Sequence, residues 1–126
     1  MTVPRFERDS PARGPLIQGF AGRGLRIDGT VHDGVLLTPS AAIAWNPPAL
    51  AELTLADLAP LLELAPAPEF LILGTGPAMA FAPKPLLRAL EEKGLGVEAM
   101  DSRAAARIWG ILRGEDRWIG AAIMPL

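Results

Sequence analysis

The chain is 126 residues long, 50% hydrophobic and 21% charged, the balance of a globular protein with room for one core and neither a disordered nor a membrane-spanning chain. A formal net charge of -2 provides no field to draw in a polyanion, and no dense cluster of lysine or arginine offsets that, so nucleic-acid binding is not expected. The absence of cysteine excludes a disulfide framework, a thiol nucleophile and a thiolate metal site, and fits a reducing, cytoplasmic compartment.

Residues 1–14, "MTVPRFERDSPARG", are expected to be a flexible N-terminal arm ahead of a single α/β domain over residues 15–126. The arm has no apolar stretch that could serve as a signal-peptide core. Nothing in the chain approaches the ~18 uninterrupted apolar residues of a membrane helix, so direct membrane insertion is not expected. From Leu16 to Trp45 the runs "LIQGF", "GLRIDG", "GVLLTP" and "AAIAW" alternate with Gly22, Gly24, Gly29 and Gly34. That spacing predicts antiparallel hairpins or a meander. Asn46-Pro47-Pro48 ends the β region, because prolines cannot donate to a ladder. Thr54 is placed to cap a short helix or turn running to Glu63, with Leu55, Leu58, Leu61 and Leu62 on its buried face. Ala65 to Pro68 reads as a linker.

From Glu69 the pattern is strand, helix, strand, helix, strand. "FLIL" is apolar throughout, as expected of a strand covered on both faces. Pro83 and Pro85 suit the first turn of the helix that follows, where a missing N–H costs nothing. Leu86, Leu87 and Leu90 are its expected inner face, and Gly94 is its stop. "GVEAM" is the next strand, and Asp101 or Ser102 is the candidate cap of the last helix. In that helix Ala105, Ile108, Trp109 and Leu112 share the core side, while Arg103, Arg107 and Gly110, flanked by Arg113, are expected on the solvent side. A strand over about residues 118–124 closes the chain. The expected architecture is α/β: a three-layer domain whose mixed central sheet joins N-terminal antiparallel β-hairpins to a β-α-β-α-β half, the crossovers right-handed.

In such sheets ligands bind outside the carboxyl ends of the parallel strands, where Gly74-Thr75-Gly76 and Asp101 would lie. A phosphate cradle needs several converging N–H groups, usually with a third glycine or a Lys-Ser/Thr pair. Here Pro77 removes a donor, "AMAFAP" follows, and Lys84 comes eight residues after the turn. The favoured reading of Gly-Thr-Gly is therefore the structural turn of a buried strand, with a modest anion or carboxylate pocket at Thr75 as the alternative. His32 is the only histidine. Its neighbour Asp33 would face the opposite side of a strand, so the two form no dyad, and no metal site is expected from one histidine and scattered carboxylates. Glu91, Glu92, Glu98 and Asp101 read as a solvated helix face, a strand-end charge and a cap in preference to acid–base pairs. Trp45, Trp109 and Trp118 read as core anchors. No catalytic residue and no cofactor is assigned.

The stretches "LILGTG", "KGLGVEAMDSRAAARIWGIL" and "EDRWIGAAIMP", together with "GLRIDGTVHDGVLLTP" earlier in the chain, resemble the domain-of-unknown-function 498 family over about residues 19–125. The chain departs from the family pattern at His32, where tyrosine is more usual, and at Ile108-Trp109-Gly110, where threonine and asparagine are familiar. The resemblance implies a compact three-layer α/β fold without an established enzymatic activity. It also implies a role like that of the mitochondrial members, which act in respiratory complex assembly through protein contacts. The resulting expectation is a protein-interaction or assembly-factor-like module whose partner is another protein, in reach of a membrane-associated complex, with homo-oligomerisation left open. Its docking edge would comprise Gly74, Thr75, Gly76, Lys84, Asp101, Arg103 and Arg107. The alternative is a small-molecule or anion-binding protein, or an enzyme, built on the Gly-Thr-Gly turn.

Overall fold

The computed structural model describes residues 14–126, so of the expected N-terminal arm only Gly14 lies within it. Five short strands come first: β1 (Ile17–Ala21), β2 (Gly24–Ile27), β3 (Thr30–His32), β4 (Val35–Leu37) and β5 (Ala42–Ala44). The turn between β2 and β3 is Asp28-Gly29, with φ of 50° and 85°. Two successive left-handed residues match the twist of a two-residue hairpin, which is why Asp-Gly is found there.

These five strands do not form one meander. β1, β2 and β3 make a separate antiparallel sheet, whereas β4 and β5 join a five-stranded sheet of order β5-β4-β8-β6-β7, where β6 is Phe70–Gly74, β7 is Gly96–Met100 and β8 is Gly120–Ile123. β8 pairs antiparallel with β4 and parallel with β6, which in turn pairs parallel with β7. The central sheet is therefore mixed. The C-terminal strand, by inserting between β4 and β6, stitches the two halves of the sequence together.

Helices cover both faces. α1 is the single turn Ala59–Leu62, preceded by the 3₁₀ turn Leu55–Leu58; α2 is Lys84–Glu92 and α3 is Ser102–Gly114. Strand alternation separates the two cores. Leu71 and Leu73 of β6 join Leu58, Leu61, Leu86 and Leu90 beneath α1 and α2, while Ile72 joins Ala105, Ala106 and Trp109 beneath α3. Leu25 and Ile27 bring the small sheet onto the α3 side. Three layers result, and among the described residues no helix is long and apolar enough to cross a membrane.

Local capping explains where the helices stop and start. Beyond α2, the Gly94 N–H bonds the Glu91 carbonyl at 2.8 Å and the Leu95 N–H bonds the Leu90 carbonyl at 3.0 Å, with Gly94 at φ 74°. This pairing satisfies the last carbonyls and needs a left-handed residue. Thr54 stands at the N-cap as expected, in a capping box with Asp57: the Asp57 carboxylate accepts from the Thr54 N–H at 2.9 Å and from Thr54 Oγ1 at 3.0 Å.

Three burial expectations are corrected. Leu87 is 38% exposed, and only Leu86 and Leu90 of α2 face inward, since one residue advances a helix by about 100°. Leu55 and Leu62 are half-buried, leaving Leu58 and Leu61 as the inner pair. Arg113, expected beside the solvent-facing arginines, is 4% exposed because it follows Trp109 by one turn on the buried face. Its Nη1 donates to the Arg117 carbonyl at the end of α3.

Candidate functional site

The Gly-Thr-Gly turn lies where β6 ends, and its polar groups all point inward to partners. The Thr75 N–H donates to the Met100 carbonyl at 2.8 Å, and the Gly76 N–H donates to Ser102 Oγ at 2.8 Å. Thr75 Oγ1 donates within reach of the Ala78 carbonyl at 2.8 Å and the Met100 carbonyl at 3.1 Å, and accepts from the Ala80 N–H at 3.1 Å. Thr75 is buried to 8% exposure. A phosphate cradle needs donors aimed at a common external point; these are aimed at the protein itself.

Ser102 is the centre of that arrangement. It is 0% exposed, its hydroxyl donates to the Met124 carbonyl at 2.7 Å while accepting from Gly76, and its own N–H donates to the Gly76 carbonyl at 2.8 Å. One side chain thus ties the ends of β6 and β8 to the start of α3. Gly74 permits the close approach: a Cβ there would stand 3.0 Å from Ser102 Oγ, 3.0 Å from Ile123 Cγ2 and 3.1 Å from Ala105 Cβ. Asp101 caps α3, its Oδ1 accepting from the Ala104 N–H at 2.9 Å, and so is occupied by a helix end.

The other expected site residues divide into two groups. Gly74, Thr75, Gly76 and Asp101 are together at the strand ends. Lys84 is exposed at the start of α2, beyond the loop that carries the exposed Met79 and Phe81, and is not among the residues lining the depression of about 350 Å³ at the strand-end edge. That depression is lined by Thr75 and Gly76 and also by Arg23, Asp33, Asn46 and Pro125, which sequence reading did not single out. Arg23 is held there by the C-terminus: its Nε donates to the Leu126 carbonyl at 3.2 Å, and its carbonyl accepts from the Leu126 N–H at 2.8 Å.

Arg103 and Arg107 stand apart from the turn, on the outer face of α3, and both are exposed. Arg103 lies over the Phe20 ring of β1 at 4.7 Å from its centroid, a cation–π arrangement. Arg107 lines a groove of about 390 Å³ between β1 and α3 with Ile17, Phe20, Gly110 and Ile111. Among the described residues no carboxylate pairs with either arginine.

His32 is half-buried on β3 while Asp33 is exposed, and among the described residues no three histidines or carboxylates converge as metal ligands would. Glu91, Glu92 and Glu98 are solvent-facing. Trp109 is 0% exposed, whereas Trp45 and Trp118 are half-buried and each anchors through its indole N–H, to the Asp57 carbonyl at 3.0 Å and the Pro66 carbonyl at 2.7 Å. The Glu69 carboxyl is held below the ordinary carboxylate value by its hydrogen bond from Arg117 and then by the Trp118 N–H.

With this geometry in hand, comparison with known proteins locates the chain. The model of the family described as "protein of unknown function (DUF498/DUF598)" matches residues 17–124. An uncharacterised protein of Rhodobacter capsulatus is 36% identical over 111 residues, covering 87% of this chain and 84% of that protein. The NADH dehydrogenase [ubiquinone] 1 alpha subcomplex assembly factor 3 of Xenopus tropicalis is 31% identical over 125 residues, covering 98% of this chain and 68% of the relative. Among solved structures, a Bordetella parapertussis protein superposes with a TM-score of 0.79 at 29% identity, covering 92% of this chain and 100% of that one.

Proposed function

The chain belongs to the DUF498 family, and from that membership we propose that it is a non-enzymatic interaction module that assists assembly of a membrane-associated respiratory complex of the NADH dehydrogenase type. The observation that carries this reading is the alignment with a named assembly factor across 98% of the chain. The alignment spans 68% of that relative, and the proposal assigns the assisting activity to the domain the two share. Two structural features support it. The Thr75 and Gly76 N–H groups of the strand-end turn donate internally, which speaks against an anion cradle. The exposed cations Arg103 and Arg107, with no carboxylate partner among the described residues, form an outward face suited to an acidic partner surface, where charge complementarity acts on encounter rate and specificity.

Deleting the gene in its host and following the NADH dehydrogenase complex on native gels tests this. The complex should fall in amount, return with the wild-type gene, and return poorly with Arg103→Glu/Arg107→Glu. An undiminished complex in the deletion strain overturns the assembly role. A thermal-shift screen of the purified protein with nucleotides and phosphate addresses the anion-binding alternative. A ligand at 100 times its dissociation constant would add about 2.7 kcal/mol of stability, and no such shift is expected.

A further inference from the structure

We propose that the groove between β1 and α3 is a peptide-docking site that takes an extended, acidic segment of a partner protein as an added strand on β1. This deepens the assembly reading by naming the mode of recognition, and it rests on that reading for the identity of the partner class. Among the described residues β1 is a terminal strand of the small sheet and pairs only with β2, so its other edge carries ladder groups that a second chain can complete. Strand addition of this kind draws its affinity from main-chain hydrogen bonds and its specificity from side-chain pockets.

The walls of the groove fit such an occupant. Gly110 lies within the 13-residue helix α3, a position where glycine is disfavoured, yet a Cβ there would meet nothing within 4 Å. Among the described residues no packing requires glycine at that point. The contrast is Gly74, where a Cβ would crowd three neighbours. Gly19, facing Gly110 across the groove, likewise has open space where its Cβ would be. Two bare positions on opposite walls leave the width a foreign backbone needs. Phe20 at 39% exposure and Ile111 at 58% exposure supply the apolar contacts. Every second side chain of an added strand would face them. Arg107 on the wall and Arg103 over Phe20 select carboxylates among the remaining side chains, because among the described residues no carboxylate pairs with either.

The test pans a display library of random short peptides against the purified full chain, then titrates one enriched peptide in labelled synthetic form. Enriched sequences should alternate apolar residues with Asp or Glu, and binding should slow hydrogen exchange at the β1 amides. Affinity should fall about tenfold or more in Gly110→Leu and, separately, in Arg103→Glu/Arg107→Glu. Should Gly110→Leu fail to fold, Ile111→Asp places a carboxylate in the same groove from an already exposed position and should weaken the peptide by a similar factor. The inference is overturned by an absence of enrichment, by enrichment of basic sequences, or by affinity indifferent to the groove variants. It is also overturned if the wild type sediments as a dimer that Gly110→Leu dissociates, since a second copy would then be the occupant. Failure here is distinct from failure of the assembly role. A deletion strain fully rescued by Gly110→Leu removes the groove but keeps the role, and peptide binding as stated beside an undiminished complex does the reverse.

Discussion

Replacing Ser102 with alanine tests the internal tie at the strand ends. The hydroxyl is wholly buried and serves the Gly76 N–H at 2.8 Å and the Met124 carbonyl at 2.7 Å. Alanine fits the space and adds no clash, so the effect is that of removing the two bonds. A buried donor and a buried acceptor left without partners cost about 1–3 kcal/mol each, and taking the lower part of that range gives a total loss of about 2–4 kcal/mol. For a chain of this size each kcal/mol moves Tm by roughly 3–6 °C, so Tm should drop by about 6–24 °C. Urea unfolding followed by the fluorescence of the buried Trp109 measures the loss directly, with the slope m unchanged if only stability is altered. A change smaller than about 0.5 kcal/mol would refute the reasoning, since it would mean the two groups are as well satisfied without the hydroxyl. The same variant frees the Gly76 N–H. A phosphate-induced rise in Tm seen in Ser102→Ala and absent in the wild type would identify Ser102 as what keeps the turn from serving as an anion cradle.

Three further outcomes are expected. Gly74→Ala should destabilise by about 1–3 kcal/mol in chemical denaturation, the cost of forcing a methyl group into a filled core, because its Cβ would stand 3.0 Å from Ile123 Cγ2 and Ser102 Oγ. Gly110→Ala should instead stabilise by about 0.5–1 kcal/mol, read as a higher denaturation midpoint, since it sits in a helix with open space around it. Glu69 is held below its ordinary 4.5 by Arg117 and Trp118; a depressed folded value means its contribution is present above the unfolded value and lost as pH falls through the folded one. The Tm difference between wild type and Glu69→Gln should therefore be small and positive near neutral pH, as befits an exposed pair, and should shrink as pH falls below 4.5 through the folded value.

Local signals made much of the fold legible. The Asp28-Gly29 hairpin, the apolar β6, the Gly94 stop and the Asp101 cap each depend on residues within a few positions of one another, and each is found where its chemistry requires. What escaped reading depends on distant partners. That β4 leaves the small sheet for the central one follows from its pairing with β8, about 85 residues later. Arg113 looks like a surface charge by type, but its place one turn after Trp109 buries it. Ser102 was visible only as a possible cap, because its role depends on Gly76 and Met124, brought to it by the sheet. The strand-end depression was illegible for the same reason: Arg23, Asp33, Asn46 and Pro125 come from four separate stretches of chain.

The topology bears on why the strand-end edge is closed. β6 leads into α2 on one face of the sheet and β7 leads into α3 on the other. Where neighbouring parallel strands send their connections to opposite faces, the loops part and a crevice opens at the carboxyl ends, the usual ligand site of such sheets. Here the parting loops are bonded across the gap, Thr75 to Met100 and Ser102 to Gly76 in both directions, and the Met124 carbonyl takes the remaining proton. The chain's own hydrogen bonds close the gap between the parting loops, leaving the depression that Thr75 and Gly76 line. Unneutralised charge and exposed apolar surface then lie together one helix width away, along α3 and the edge of β1. That groove between a helix and a strand has a shape suited to a polypeptide more than to a small anion.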